Sequence, residues 1–242
     1  MTGAQAMILA AGRGERMRPL TDQCPKPLLE VRGKPLMQYH VEALQRNGFR
    51  DLVVNTAWLG QQIENRFAPL TSAVASGTSG AAPLSIRYSD EGRDFGGALE
   101  TAGGIARALP MLDDAFWLVG GDVYVPQFEF SRAALDRFAA GSALAHLFLV
   151  PNPPHNLKGD FGIRPSGVAL SRDTVQYTYS TIGLYRKALF ASLPAGNPQG
   201  LKAPLAPLLR AAMDNGQVTA EIYTGPWADV GTPERLAQLN AT

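Results

Sequence analysis

The sequence predicts an α/β fold, Rossmann-like, with a mixed, mainly parallel sheet and helices on both faces. Three observations carry that reading. Short apolar runs of strand length alternate with stretches of helical spacing. The first run, residues 6–9, breaks into a glycine-rich loop dense in positive charge, Gly12-Arg13-Gly14-Glu15-Arg16-Met17-Arg18. A later run, residues 116–120, ends in Gly121-Asp122, a carboxylate where open α/β sheets bind their ligands.

The elements follow in order. Residues 6–9 read as a buried strand. Residues 36–47 have helical spacing, and Gly48 is a good residue to close that helix. Residues 51–55 form a second strand and 61–67 a short helix. Residues 72–83, rich in Gly, Ser, Thr and Ala, read as a mobile surface loop. Residues 84–88 alternate like a third strand, and 105–109 are a helix ended by Pro110. Residues 116–120 are the fourth strand. Beyond it, 143–150, 160–163 and 178–185 are expected strands, and 205–215 is a helix ended by Gly216. A terminal helix covers 233–239, with Thr232 as its N-cap. One domain spanning 1–242 is expected, with a nucleotide-binding half (1–125) and a substrate half (126–242).

Bulk properties exclude several classes. The 242 residues are 45% apolar and 18% charged, enough to bury a substantial core. A net charge of +1 gives no case for bulk nucleic-acid binding. Cys24 is the only cysteine, so neither an intrachain disulfide nor a cysteine zinc cluster is possible. With only three histidines, a thiol nucleophile is not expected. No apolar run approaches the roughly 18 residues needed to span a bilayer. The N-terminus does not read as a signal peptide. The expectation is a cytoplasmic protein, monomeric or a small homo-oligomer, with no nucleic-acid or membrane partner.

The first loop suits a polyphosphate. Glycines let backbone N–H groups approach phosphate oxygens as an anion nest, and Arg13, Arg16, Arg18 and Lys26 can neutralise charge. A Walker loop is excluded because no Gly-Lys-Ser/Thr follows the glycines. A dinucleotide fingerprint, and with it a nicotinamide-dependent oxidoreductase, is disfavoured because Met17 stands where its third glycine belongs.

The string from Leu9 to Thr21, Leu-Ala-Ala-Gly-x-Gly-x-Arg-Met-x-Pro-Leu-Thr, followed by Pro25-Lys26-Pro27-Leu28, resembles the signature of sugar-1-phosphate nucleotidyltransferases. The segment Trp227-Ala228-Asp229-Val230-Gly231-Thr232-Pro233 is similar to that family's second metal-binding block. The resemblance implies the family's GT-A-like fold and a reaction of UTP with a sugar 1-phosphate. Asp122 and Asp229 would hold Mg²⁺, which takes few protein ligands and completes its shell with water and phosphate. Arg16 would stabilise departing pyrophosphate, and Lys26 would draw the reacting phosphates together. Leu9, Ala11, Gly12, Arg13 and Gly14 would hold the nucleotide. Glu91 and the loop bearing Thr101, Gly103 and Gly104 would meet the base. Glu91 can accept from uracil N3–H or from guanine, so it does not choose the base by itself.

The second half departs from the common sugar-binding pattern. It has no Glu-Lys-Pro element; it has Asn152, Lys158-Gly159-Asp160-Phe161-Gly162 and Ile182-Gly183. Asn152, Lys158, Gly159, Asp160, Ile182 and Gly183 are the expected sugar-phosphate contacts. The pattern, with Asn55-Thr56-Ala57-Trp58-Leu59-Gly60, resembles the branch of the family that recycles a bacterial cell-wall sugar bearing a lactyl carboxylate. Lys158, Arg164 or the backbone near Gly159 would meet that carboxylate. His155 reads as a solvated loop residue. The rival readings are a mannose-1-phosphate guanylyltransferase or another hexose-1-phosphate nucleotidyltransferase, and a non-catalytic nucleotide-sugar sensor. A sensor is expected to have lost Arg16, Lys26, Asp122 or Asp229, and all four are present.

Overall fold

A computed structural model describes residues 3–72 and 84–241. Of the expected surface loop 72–83, only Ser72 falls among them, as the last residue of a helix; the rest lies outside the described residues. Seven strands form one sheet: β1 (Ala4–Ala10), β2 (Asp51–Thr56), β3 (Ser85–Asp90), β4 (Leu112–Gly120), β5 (Ala145–Val150), β6 (Thr178–Arg186) and β7 (Val218–Ile222). Their spatial order is β7-β5-β6-β4-β1-β2-β3. β1 pairs in parallel with β2 and β4, and β2 with β3. β6 is antiparallel to both β4 and β5, and β7 returns parallel to β5. The sheet is therefore mixed and mainly parallel, and it runs unbroken across the two halves of the chain.

The period-2 geometry of a strand sends successive side chains to opposite faces. Ala6, Ile8, Leu52, Val54, Trp117 and Val119 pack on one face against α1 (Leu36–Arg46), α2 (Gly60–Ser72) and α5 (Arg132–Ala140). Met7, Val53, Phe116, Leu118 and Leu147 face the other way, onto α4 (Glu100–Ala108) and α6 (Leu205–Asp214). Both faces are covered, as a parallel sheet requires. A third cluster joins Met17, Leu36, Tyr124 and Val230 to Leu236 of α7 (Pro233–Ala241). Met17, in the place of a dinucleotide-loop glycine, thus anchors the first loop. A short helix, α3 (Glu91–Phe95), is capped by Asp90, whose side chain accepts from Arg93 N at 2.9 Å.

The expected helix ends hold: Gly48 and Gly216 have φ of 83° and 67°, and Thr232 Oγ1 accepts from Arg235 N at 3.4 Å. Three labelled elements have no counterpart in the sequence reading, one of them the short α3. The edge strand β7 is defined by pairing with β5, and α5 is set by its Ser131 cap, which accepts from Ala134 N. The strand expected at 160–163 shrinks to a two-residue ribbon, Gly162–Ile163 with Ala169–Leu170. Among the described residues no helix is long and apolar enough to cross a membrane.

Candidate active site

The C-terminal ends of β1, β2 and β4 converge on one cleft. Gly14, at φ 68°, turns the loop after β1, and its carbonyl accepts from Thr21 Oγ1 at 2.8 Å. Lys26 is buried and its Nζ donates to Asp122 Oδ2 at 2.6 Å. Asp122 leaves β4 beside a short ribbon, Val123–Tyr124 with Ala228–Asp229. Asp229 lies opposite Val123, and Val230 N donates to Asp122 O at 3.1 Å. The tertiary fold thus brings the backbones of the two expected metal residues side by side, Asp122 in the turn before Val123 and Asp229 on the strand opposite, but Asp122 lines the cleft with Lys26 whereas Asp229 lines a neighbouring cavity with His155 and Arg235. Asp229 accepts from Arg235 Nη1 at 2.5 Å and sits 2.7 Å from His155 Nε2. His155 is exposed, as expected of a loop histidine, and it is also a partner of Asp229.

Two cavities meet here. One, of about 280 Å³, is lined by Ala11, Gly12, Lys26, Thr101 and Asp122, among others. The other, of about 600 Å³, is lined by Asp160, Phe161, Tyr179, Leu209 and Arg210. Leu9, Glu100, Thr101 and Thr181 line both. The arrangement is a smaller cleft opening into a larger chamber, with Lys26 and Asp122 on the side of the smaller cleft.

Several expected contacts have other duties. Arg13 stacks on Trp58, its guanidinium 3.8 Å from the ring centroid, and donates to Thr21 O and Asp22. Arg18 also donates to Asp22, at 2.7 Å. These two arginines hold the carboxyl of Asp22 below its ordinary pKa, Arg18 contributing more. Their charge is spent within the loop, whereas exposed Arg16 has no side-chain partner among the described residues. Glu91 borders the smaller cavity but is fully buried. Its oxygens accept from Leu99 N and Asn55 Nδ2, both at 2.7 Å. Asn55 Oδ1 in turn accepts from Ala10 N at 2.9 Å. Glu91 braces the cavity wall through these bonds. Gly103 and Gly104 lie within α4 and line neither cavity; a Cβ on them would collide with Leu201 O and Glu91 Oε1 respectively. They are glycines because α4 packs there without room for a side chain.

On the sugar side, Asp160 lines the larger cavity and its Oδ2 accepts from Tyr179 N at 2.8 Å. Asn152 instead ties its own loop to Leu157 O and Gln176 O. At Gly159, with φ 66°, a Cβ would come within 2.7 Å of the Gln176 backbone. Lys158 and Arg164 are exposed and outside the cavity wall. Ile182 and Gly183 are buried in the pairing with β4. On that strand Tyr179 lines the larger cavity and Thr181 lines both. A register shift between Tyr179 and Gly183 interrupts β6 there. Thr181 has φ 61°, rare for a β-branched residue, and its Oγ1 is buried without a partner. The bulge is clamped by Ser180 Oγ, which donates to Phe148 O at 2.6 Å, and by Trp227 Nε1, which donates to Ser180 O at 3.1 Å. Sequence patterning predicts neither the bulge nor Thr181. As for Cys24, burial pushes its thiol pKa up, which suits an inert residue.

This fold and cleft are those of nucleotide-activating transferases. The nucleotidyl transferase family profile matches residues 5–167, and the chain belongs to that family. It is 45% identical over 98% of its length to N-acetylmuramate alpha-1-phosphate uridylyltransferase of Neisseria meningitidis serogroup B, covering 97% of that protein. The protein of the same description from Caulobacter vibrioides is 30% identical, over 95% of this chain and 92% of its own. Among solved structures, a candidate glucose-1-phosphate thymidylyltransferase from Bacillus anthracis superposes with a TM-score of 0.75 at 20% identity, over 98% of this chain and 94% of that one. That likeness confirms the fold, which is of the GT-A type.

Proposed function

We propose that this protein transfers the uridylyl group of UTP to N-acetylmuramic acid 1-phosphate, giving UDP-N-acetylmuramic acid and pyrophosphate, in the cytoplasmic recycling of cell-wall sugar. The carrying observation is the junction of two cavities at Leu9, Thr101 and Thr181, with Lys26 and Asp122 on its nucleotide side. The near-full-length likeness to the Neisseria protein supports the choice of uridylyl and of the sugar.

The reaction needs no protein nucleophile. A sugar-phosphate oxygen attacks the α-phosphorus in line; the bond to the β-phosphate oxygen breaks, and pyrophosphate leaves with that electron pair. Alignment and charge neutralisation then carry the catalysis. Backbone N–H groups of Ala11, Gly12 and Arg13 hold the triphosphate. Lys26, buried and fixed by its ion pair, draws the two reacting phosphates together. Arg16, with no side-chain partner among the described residues, meets the departing pyrophosphate. Asp122, in the turn after β4, and Asp229, on the ribbon strand opposite Val123, are hard oxygen donors, and each already bonds a cation of the chain. That donor set fits Mg²⁺. When bound there, the ion supplies positive charge to the α-phosphate and the incoming phosphate.

The test is a competition assay with limiting UTP and equal N-acetylmuramic acid, glucose and N-acetylglucosamine 1-phosphates. UDP-N-acetylmuramic acid should dominate. Dominance of UDP-glucose or UDP-N-acetylglucosamine refutes the sugar assignment, and turnover with GTP in preference to UTP refutes the base.

A further inference from the structure

The larger cavity has one cationic side chain in its wall among the described residues, Arg210 of α6. Glu100 and Asp160 are its acidic neighbours in that wall. The guanidinium is held from three sides. One nitrogen donates to Ser171 O, another to Asp160 O at 3.3 Å, and the group lies 5.0 Å over the Phe161 ring. Both hydrogen-bonding partners are main-chain carbonyls. Within the described residues Arg210 forms no ion pair with a carboxylate. Asp160 turns its own carboxylate to Tyr179 N and Asn156 Nδ2.

A guanidinium fixed in orientation, with its charge uncompensated and N–H groups left over, is a receptor for an anion. Its planar fork suits a carboxylate, and because it is already immobilised little rotamer entropy is lost on binding. The phosphate end of the substrate belongs near Lys26 and Asp122, which line only the smaller cavity. Arg210 lines only the larger one, so the anion it meets is a different group of the sugar.

We propose that Arg210 binds the lactyl carboxylate of the sugar phosphate and is the residue that sets selectivity for an acidic amino sugar. The inference rests on the N-acetylmuramic acid reading above. It displaces Lys158 and Arg164, which stand exposed outside the wall.

The experiment compares kcat/KM for N-acetylmuramic acid 1-phosphate and N-acetylglucosamine 1-phosphate, which differ only in the lactyl ether, in wild type and Arg210→Met at saturating UTP. The wild type should prefer the muramic substrate. Arg210→Met should lower that preference ratio by about tenfold to a hundredfold. A role limited to tying Ser171 and Asp160 together would depress both substrates alike and leave the ratio in place, and that result overturns the proposal. A wild type with no preference for the muramic substrate overturns the sugar reading and this inference together. A preference retained in Arg210→Met overturns this inference alone. If Arg210→Met does not fold, Arg210→Gln, which keeps N–H donors, is judged by the same ratio.

Discussion

Replacing Glu91 by glutamine isolates the brace behind the nucleotide cavity. The buried carboxylate accepts from Leu99 N and from Asn55 Nδ2, each at 2.7 Å. The orientation of Asn55 is dictated by Ala10 N, which its Oδ1 accepts at 2.9 Å. Glutamine offers one oxygen in place of two. One of the two donors must then face an NH₂ group, and Asn55 cannot turn its amide without abandoning Ala10. A buried donor left unsatisfied costs about 1–3 kcal/mol. A second effect opposes this. Burial raises the Glu91 pKa above its ordinary value, outweighing the two hydrogen bonds that lower it. With a raised folded pKa, the group's contribution to stability is complete below the unfolded value, about 4.3, and is lost as pH rises through the folded value. Glutamine has no such dependence. The variant should therefore be less stable than wild type, with the gap widest in acid, below the unfolded value, and narrowing as pH rises. Thermal unfolding at about pH 5 and about pH 8 measures it, with about 2–4 °C of Tm per kcal/mol for a chain of this size. The KM for UTP should rise as well, because the end of β1 and the turn at Leu99 lose their common tie. A variant as stable as wild type at both pH values refutes the brace. Full stability with a raised KM would make Glu91 a ligand contact.

Asp122→Asn and Asp229→Asn should each abolish most turnover while the protein stays folded, although each loses an ion pair and some Tm with it; near-normal rates at saturating Mg²⁺ would remove that residue from the metal site. Arg16→Ala should lower kcat more than it raises the KM for UTP, because charge on pyrophosphate grows in the transition state. A change confined to KM would reduce Arg16 to a ground-state binder. Gly120→Ala would place a Cβ 2.6 Å from Thr181 Oγ1 and 3.0 Å from Asp122 Oδ1. Overpacking of that kind costs about 1–3 kcal/mol, and kcat should fall with it; denaturant titration and initial rates read the two effects separately, and wild-type values for both would show that the Thr181 bulge yields freely.

The strings that mark strand ends and turns were legible from residue order, because their chemistry is local. An apolar run ending in Gly-x-Gly and basic residues specifies a strand and a phosphate-sized loop. Val119-Gly120-Gly121-Asp122 places a carboxylate at the C-terminal end of a buried strand. Trp227 to Pro233 encodes a second carboxylate before a helix start. Lys26, Asp122 and Asp229 were each legible from such a string, while the Lys26–Asp122 ion pair was made by the fold.

What each side chain faces was decided by packing between segments far apart in sequence. Glu91 turns inward because Asn55 and Leu99, 36 residues before it and 8 after, supply its donors. Arg13 is spent because Trp58 and Asp22 reach it. The bulge in β6 is held by Phe148 and Trp227, and it puts Thr181, not Ile182 or Gly183, into the cavities. A shift of one residue along a strand exchanges the two faces, so no periodicity in the sequence could locate that contact. Arg210 carries no motif at all. Its position opposite Asp160 and Ser171 exists only once α6 has docked on the sheet, where the burial of Leu205, Leu209 and Met213 fixes the helix's rotation.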